Sequence, residues 1–282
     1  MKTATISAYW RLLHPLPSIM TMLASGAFVV LAARGVPPVG TLALLLVIEA
    51  CRQFSISAYN DYFDRHIDAK RPEKPVATGE IRPQVAWWIG AVFGLASLVL
   101  SVPLGLPLLA LTAIGLAGGL LYDVGLKYTA LSWLPFAVAF PTLPLWAWVG
   151  VHPDGDFPPR LWWVIPVGAV LALGIHMADT LPDLASDHEA GVRGVAHRLG
   201  MMRSVALCGG AFGVALVLTL ALWPLLGYRL EWYLLGAVVG TALALASILL
   251  YLRGHVWQKT SSMLIEMGTL TLAVGWLGGL ML

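Results

Sequence analysis

The sequence contains few charged residues. Asp, Glu, Lys and Arg make up 11% of its 282 residues, whereas a typical soluble domain carries roughly 25%. Hydrophobic residues make up 59%, which excludes an ordinary soluble domain and predicts a multi-pass protein of the lipid bilayer. Cysteine is also scarce: Cys51 and Cys208 are too few for a disulfide framework or a cysteine-rich metal site.

An excess of basic charge is missing as well. The formal net charge is only +2, and the basic residues follow the membrane topology described below. We therefore expect no nucleic-acid partner.

Apolar runs dominate the chain, and nine of them are long enough for a membrane helix, which needs about 20 residues. We predict one all-α polytopic membrane domain over residues 1–282, with nine transmembrane helices. The predicted spans are about 15–34, 38–59, 83–102, 104–122, 131–150, 161–179, 204–224, 232–252 and 263–281.

The distribution of Lys and Arg between the spans predicts the orientation. Most of these residues fall on the side of the N-terminus, and only Arg34, Arg160 and Arg229 lie in loops on the opposite side. Cytoplasmic loops are enriched in Lys and Arg. We therefore expect the N-terminus and the loops after the second and sixth spans to be cytoplasmic.

Two acidic segments interrupt the apolar pattern, Asn60–Asp68 (NDYFDRHID) and Asp179–Asp187 (DTLPDLASD). On a helix, each segment would place its three aspartates on one face. Like charges in such a stripe repel one another, and divalent cations would relieve that repulsion. Because Mg²⁺ is usually held by a few carboxylates plus substrate phosphates, we expect a phosphate-bearing substrate. The predicted metal-binding and catalytic carboxylates are Asp61, Asp64, Asp68, Asp179, Asp183 and Asp187.

Basic residues follow both acidic segments. Arg71 and Lys74, each beside a proline, follow the first segment, and Arg193 and Arg198 follow the second. Cations at these positions suit a phosphate group. Both segments also follow an even-numbered span, which favours a duplicated four-helix unit.

A few other polar residues lie at or inside the predicted spans. Arg52 lies about two turns deeper than the first acidic segment and is expected to line the substrate cavity, or alternatively to pair with Glu49. Tyr122 is expected at the cavity mouth and Lys127 near a phosphate; the alternative is an interfacial tyrosine with a snorkelling lysine. His176, three residues before Asp179, is also expected to line the cavity.

Together, these patterns resemble the UbiA superfamily of intramembrane prenyltransferases. The similar features are NDxxDxxxD after the second span and DxxxDxxxD-x-x-x-G-x-R after the sixth. The resemblance implies a bundle of nine helices around a central cavity, and two Mg²⁺ ions that join both motifs to a prenyl diphosphate. It also implies that Asn60 and the six aspartates bind metal and diphosphate, and that Arg71, Lys74, Lys127, Arg193 and Arg198 contact the phosphates.

The expected activity is therefore Mg²⁺-dependent transfer of a prenyl group from a prenyl diphosphate to a hydrophobic, aromatic or lipid acceptor. Lys74 stands where many members have arginine, and Asp123 follows Tyr122 in place of the usual Ser and Pro, so the acceptor stays open. One alternative is a membrane terpene cyclase of the same superfamily. An ion-coupled transporter is disfavoured, because transport sites tend to lie near the midplane and these carboxylates gather at one interface.

Overall fold

The structure is a computed structural model that describes residues 5–184, 191–253 and 258–282. Within these ranges the chain forms α-helices and short 3₁₀ turns, without a strand. Two helices are short, α1 (Ile6–Leu12) and α8 (Val195–Leu199). The others are α2 (Pro15–Ala32), α3 (Val39–Asp64), α4 (Pro83–Ser101), α5 (Leu106–Val124), α6 (Leu134–Val151), α7 (Val164–Thr180), α9 (Met201–Leu226), α10 (Leu230–Leu252) and α11 (Gln258–Met281).

The predicted all-α membrane architecture is confirmed. Over the described ranges, nine helices are long and apolar enough to cross a membrane. Their outward positions carry large apolar side chains such as Leu23 and Val238, each 68% exposed, whereas Ser25, Ser97 and Thr112 are fully buried. Apolar residues outside and small or hydroxyl-bearing residues inside are what helix packing in lipid requires.

Several helices extend beyond the apolar runs that predicted them. α3 continues past residue 59 to Asp64, and α11 begins at Gln258 rather than near residue 263. Hydropathy locates the segment that lipid can cover, whereas the backbone continues to form helical hydrogen bonds among polar residues beyond it. The extension of α3 matters because it carries Asn60, Asp61 and Asp64.

The chain divides into two compact units. The first comprises Met1–Leu126 with Trp146–Gly155, and α3 packs there against α2, α4 and α5. Small residues allow close approach: the Ser55 hydroxyl donates to the Gly90 carbonyl at 2.8 Å. A Cβ at Gly119 would lie 2.5 Å from Ile56 Cδ1.

The short helix α1 belongs to the first unit and holds the segment that follows α3. Ala8 and Leu12 are fully buried in a cluster with Val76 and Ile81. Arg11 Nη2 donates to Glu80 Oε2 at 2.6 Å. These contacts anchor the chain directly after Lys74.

The second unit comprises Lys127–Leu145 and Asp156–Leu282. Its closest helix pair is α10 and α11, where a Cβ on Gly236 would lie 2.7 Å from the Thr271 carbonyl oxygen and 2.8 Å from Gly275 Cα. α7 packs against α9, and the Cys208 thiol lies 3.4 Å from the Gly174 carbonyl oxygen. The predicted four-helix duplication and the assignment of residues 1–282 to one domain stay predictions.

Candidate active site

The first acidic segment lies at the end of α3. Asn60 and Asp61 are in its last turns, and the helix ends at Asp64. Asp68 follows in a 3₁₀ turn, Ile67–Lys70. The three aspartates therefore do not lie on one continuous helix, contrary to the prediction from the sequence. The chain turns after α3, and this turn brings Asp68 close to the end of the helix.

The ammonium of Lys74 joins the cluster. Its Nζ donates to Asp61 Oδ1 at 2.7 Å and to Asn60 Oδ1 at 3.2 Å. It also lies 3.7 Å from Asp68 Oδ2. Asp61 and Asp68 are 1% and 4% exposed, and buried carboxylates of this kind need a positive partner. The structure thus brings oxygens of Asn60, Asp61 and Asp68 together around the Lys74 ammonium.

Asn60 links the ends of two helices. Its Nδ2 donates to Asp64 Oδ2 at 3.0 Å and to Asp123 Oδ1 at 2.8 Å. Asp123 lies near the end of α5 and is buried. Asp123 was not among the predicted site residues, although a carboxylate beside Tyr122 at the end of a predicted span was a usable signal.

A second residue that the sequence analysis missed is His14. Its Nε2 lies 2.7 Å from Asp61 Oδ1 and 3.1 Å from Lys74 Nζ. The backbone of His14 has φ 45° and ψ 67°, a left-handed conformation that is uncommon outside glycine. It directly precedes Pro15, and proline disfavours the right-handed helical conformation at the residue before it. The sequence shows a histidine at a membrane interface but gives no sign of its contact with Asp61.

The oxygen atoms of this cluster fit a hard divalent cation. Asn60, Asp61 and Asp68 present amide and carboxylate oxygens to a positive charge, which is the ligand chemistry that Mg²⁺ prefers. Asp61 Oδ2 is buried and has no hydrogen-bond partner among the described residues. Over residues 5–184, 191–253 and 258–282, no three His, Cys, Asp or Glu side chains are grouped closely enough to hold a metal ion by themselves. Substrate oxygens and water would have to complete the coordination, as is usual for Mg²⁺.

Burial and two basic neighbours have opposite effects on the Asp68 carboxyl. Its Oδ1 lies 3.4 Å from Arg71 Nε. Burial is the largest influence and raises the pKa of the Asp68 carboxyl, whereas the positive charges of Lys74 and Arg71 oppose that rise. A further cation near Asp68 would also lower the pKa of its carboxyl.

The second acidic segment begins at the end of α7. Asp179 lies in the last turn of the helix and is exposed, and Asp183 lies in the 3₁₀ turn Leu181–Asp183. Asp187 is outside the described residues. Arg193 and Arg198 are both exposed, and Arg198 Nε donates to the Arg193 carbonyl at 3.0 Å.

The other predicted residues of the second unit are buried. Lys127 is 5% exposed, and its ammonium lies 5.6 Å from the centre of the Tyr128 ring. His176 is 1% exposed, and its Nε2 lies 2.9 Å from the Ser132 hydroxyl.

Arg52 forms the ion pair with Glu49 that was the alternative interpretation of the sequence. Glu49 also accepts a hydrogen bond from Gln53 Nε2 at 2.8 Å. The Arg52 guanidinium lies 5.9 Å from the centre of the Trp146 ring. Tyr122 is half-buried on α5. The cavity-lining roles of Arg52, Tyr122 and His176 stay predictions.

Comparison with known proteins identifies the family of this chain. A model of the UbiA prenyltransferase family matches residues 18–269. The chain belongs to this family. A 4-hydroxybenzoate octaprenyltransferase of Vibrio campbellii is 24% identical over 258 residues, which is 89% of this chain and 87% of the relative.

Solved structures of UbiA-family proteins share the fold. A UbiA homologue from Archaeoglobus fulgidus, bound to DMAPP and Mg²⁺, has a TM-score of 0.72 at 15% identity over 95% of this chain and 98% of the homologue. A structure described for digeranylgeranylglyceryl phosphate synthase also has a TM-score of 0.72, at 17% identity over 97% of this chain and 98% of the other.

Membership of the UbiA family confirms the resemblance that the two acidic motifs indicated. The chain is a multi-pass membrane enzyme of the prenyl-transferring class. The TM-scores of the solved structures show a shared fold, and identities of 15% and 17% show nothing of this chain's donor or acceptor.

Proposed function

We propose that this chain moves a prenyl group from a prenyl diphosphate to an aromatic or lipid acceptor with the help of Mg²⁺. The observation that carries the proposal is the cluster at the end of α3, where oxygens of Asn60, Asp61 and Asp68 surround the Lys74 ammonium. Carboxylates for a metal ion and a cation for a phosphate thus occur within one site. A diphosphate on an apolar tail matches that combination at the end of a membrane helix.

The relatives support the choice of donor, metal and first acceptor. The A. fulgidus homologue binds DMAPP and Mg²⁺, and the V. campbellii relative is a 4-hydroxybenzoate octaprenyltransferase. We therefore expect a prenyl diphosphate as donor, and 4-hydroxybenzoate is the first acceptor to test. A lipid acceptor is the second, because a digeranylgeranylglyceryl phosphate synthase has the same fold.

In this proposal, acidic residues of both segments would hold two Mg²⁺ ions together with the donor diphosphate. The ligands would be Asn60, Asp61, Asp64, Asp68, Asp179, Asp183 and Asp187. Bound Mg²⁺ would neutralise charge that develops on the leaving diphosphate.

The basic side chains have a separate task. Arg71, Lys74, Lys127, Arg193 and Arg198 would donate to phosphate oxygens, and these charge-assisted hydrogen bonds strengthen as the allylic C–O bond breaks. The Lys74 ammonium contacts the buried Asp61, and the lysine side chain is 16% exposed. It could therefore donate to a phosphate oxygen as well as to Asp61. Donors arranged in advance stabilise the leaving group without waiting for solvent to reorganise.

We further propose that the N-terminus and both acidic segments face the cytoplasm. The support is the positive-inside rule, since the basic residues of the sequence concentrate in the same loops as the acidic segments. A cytoplasmic site would have access to water-soluble diphosphate and Mg²⁺, while the prenyl tail enters from the lipid.

Mass spectrometry of reaction products tests the proposal. Purified protein in lipid would be given Mg²⁺ and a C10, C15 or C20 prenyl diphosphate, with 4-hydroxybenzoate, with a membrane-lipid extract, or with neither. A prenylated adduct that requires an acceptor and disappears with EDTA would support transfer and would identify the acceptor.

Other results would overturn the transfer proposal. A cyclic hydrocarbon formed without any acceptor would identify a terpene cyclase instead. No Mg²⁺-dependent loss of any of these donors would contradict the use of a C10 to C20 prenyl diphosphate.

A further inference from the structure

Ser132 lies at a junction of hydrogen bonds within the second unit. Its hydroxyl accepts the backbone N–H of Val195 at 3.0 Å. The same oxygen lies 2.9 Å from His176 Nε2. Ser132 and His176 are each 1% exposed, so the junction is sealed from solvent. Having accepted the N–H of Val195, the hydroxyl can donate its own proton to an unprotonated Nε2.

Gly194 allows the backbone to approach this junction. A Cβ on Gly194 would lie 2.9 Å from the Lys127 carbonyl oxygen and 3.0 Å from Ser132 Oγ. Cβ atoms do not normally come that close to backbone atoms, so a larger residue would push the segment around residue 194 away from residues 127 and 132. Glycine at position 194 therefore allows its segment to pack closely against residues 127 and 132.

The junction joins three segments that each carry a residue of the proposed diphosphate site. Lys127 is five residues before Ser132, Asp179 is three residues after His176, and Arg193 is next to Gly194. Asp179 and Arg193 expose their side chains, whereas Ser132, His176 and Gly194 are buried. The exposed groups are thus carried on backbone that a buried hydrogen-bond pair holds in place.

From this geometry we infer that Ser132 and His176 are positioning residues for the diphosphate-binding groups of the second unit. The inference rests on the proposed function. A binding group must be held within a fraction of an ångström to act well, and buried hydrogen bonds to its supporting backbone supply that precision. Neither residue needs to touch the substrate, because each acts through the segments that carry Lys127, Asp179 and Arg193.

Kinetics of three variants test the inference. Ser132→Ala removes both hydrogen bonds, His176→Phe removes the ring nitrogens while keeping a planar ring, and Gly194→Ala forces the segments apart. We expect each to lower kcat/KM for the prenyl diphosphate by about 10- to 100-fold, the range found for residues that support ligand-binding side chains. The loss should lie mainly in the KM for the donor. Ser132→Thr, which keeps the hydroxyl, should recover most of the donor affinity.

Ser247→Ala is the matched control. Ser247 is another buried serine of the second unit, and its hydroxyl pairs with Ser261 at 3.0 Å. It carries no proposed substrate group. This variant should lose a similar amount of thermal stability and keep the wild-type KM for the donor. The double variant of Ser132→Ala and His176→Phe should lower kcat/KM no more than the larger single change, because Ser132→Ala already removes the hydrogen bond that His176→Phe removes.

Hydrogen exchange separates this inference from the proposed function. In Ser132→Ala, exchange measured by mass spectrometry should become faster in the peptide that contains Val195 and stay unchanged around Ser247. Faster exchange together with a wild-type KM for the donor would refute the positioning role while leaving the proposed function intact. Unchanged exchange would refute the inference as well. A wild-type protein that consumes no prenyl diphosphate would overturn both the proposed function and the inference.

Discussion

Lys74 Nζ and Asp61 Oδ1 lie 2.7 Å apart, and the Asp61 side chain is fully buried. The two residues are thirteen positions apart in sequence. The carboxylate lies at the end of a membrane helix, and the ammonium comes from the segment that α1 holds in place. Both the fold of the first unit and its proposed chemistry therefore depend on this ion pair.

We predict that Lys74→Met destabilises the protein by about 3 kcal/mol, because removing one partner of a buried ion pair leaves the other uncompensated. Mg²⁺ should restore more stability to this variant than to the wild type, since a bound cation would replace the missing charge. Thermal unfolding in lipid, with and without Mg²⁺, measures both effects. Lys259→Met, at an exposed position, is the control and should resemble the wild type. A Lys74→Met protein as stable as the wild type would show that Asp61 does not need this partner.

The ion pair of Glu49 and Arg52 inside α3 gives a second prediction. Glu49→Gln leaves the buried Arg52 guanidinium without its counter-charge, so we expect a loss of about 3–5 kcal/mol. The double variant Glu49→Gln and Arg52→Met removes both charges and should recover at least half of that loss. Denaturant unfolding of the wild type, both single variants and the double variant measures the coupling. Simply additive losses would mean that the pair contributes no coupling energy.

Two glycines in the second unit should respond to alanine in opposite directions. Gly236→Ala places a Cβ 2.7 Å from a backbone oxygen of α11, and we expect overpacking to cost about 1–3 kcal/mol. Gly213→Ala on α9 meets nothing within 4 Å, and the higher helix propensity of alanine should stabilise it by up to about 1 kcal/mol. Unfolding temperatures of the two variants provide the comparison. Equal shifts in both would contradict the close packing of α10 and α11.

The proposed orientation predicts which loops can be labelled from outside the cell. Glu73 and Asp154 are both exposed, and the two native cysteines are buried. In intact cells, a membrane-impermeant maleimide should label Asp154→Cys and not Glu73→Cys. After the membrane is permeabilised, both should react. The reverse pattern would place the acidic segments on the outer side.

Much of the fold followed from the sequence because lipid imposes a simple rule on it. Apolar runs of span length have to become helices, since unpaired backbone groups are costly in a bilayer. The ends of α3 and α11 were less predictable, because helical hydrogen bonding continues where the apolar run stops. The acidic segments stood out because carboxylates such as Asp64 and Asp183 are unusual in so apolar a chain and indicate a functional site.

Contacts between distant parts of the chain could not be predicted in the same way. His14 and Asp61 are 47 residues apart, and Asn60 and Asp123 are 63 apart. No spacing rule connects such pairs, since their contact depends on how separate helices pack. Ser132 had no signal either, because a single serine at the start of a predicted span is ordinary, and only the structure places it beside His176.

Metal binding by both acidic segments is tested most directly by Mg²⁺-dependent release of diphosphate from prenyl diphosphates by the wild type, Asp64→Ala and Asp183→Ala. Asp154→Ala, in an exposed loop outside both acidic segments, is the control. We predict that the control keeps wild-type activity and that each of the other variants loses more than about 100-fold, beyond the range of supporting residues, while remaining folded. Undiminished release by either Asp64→Ala or Asp183→Ala would contradict the claim that both acidic segments bind the metal and the diphosphate.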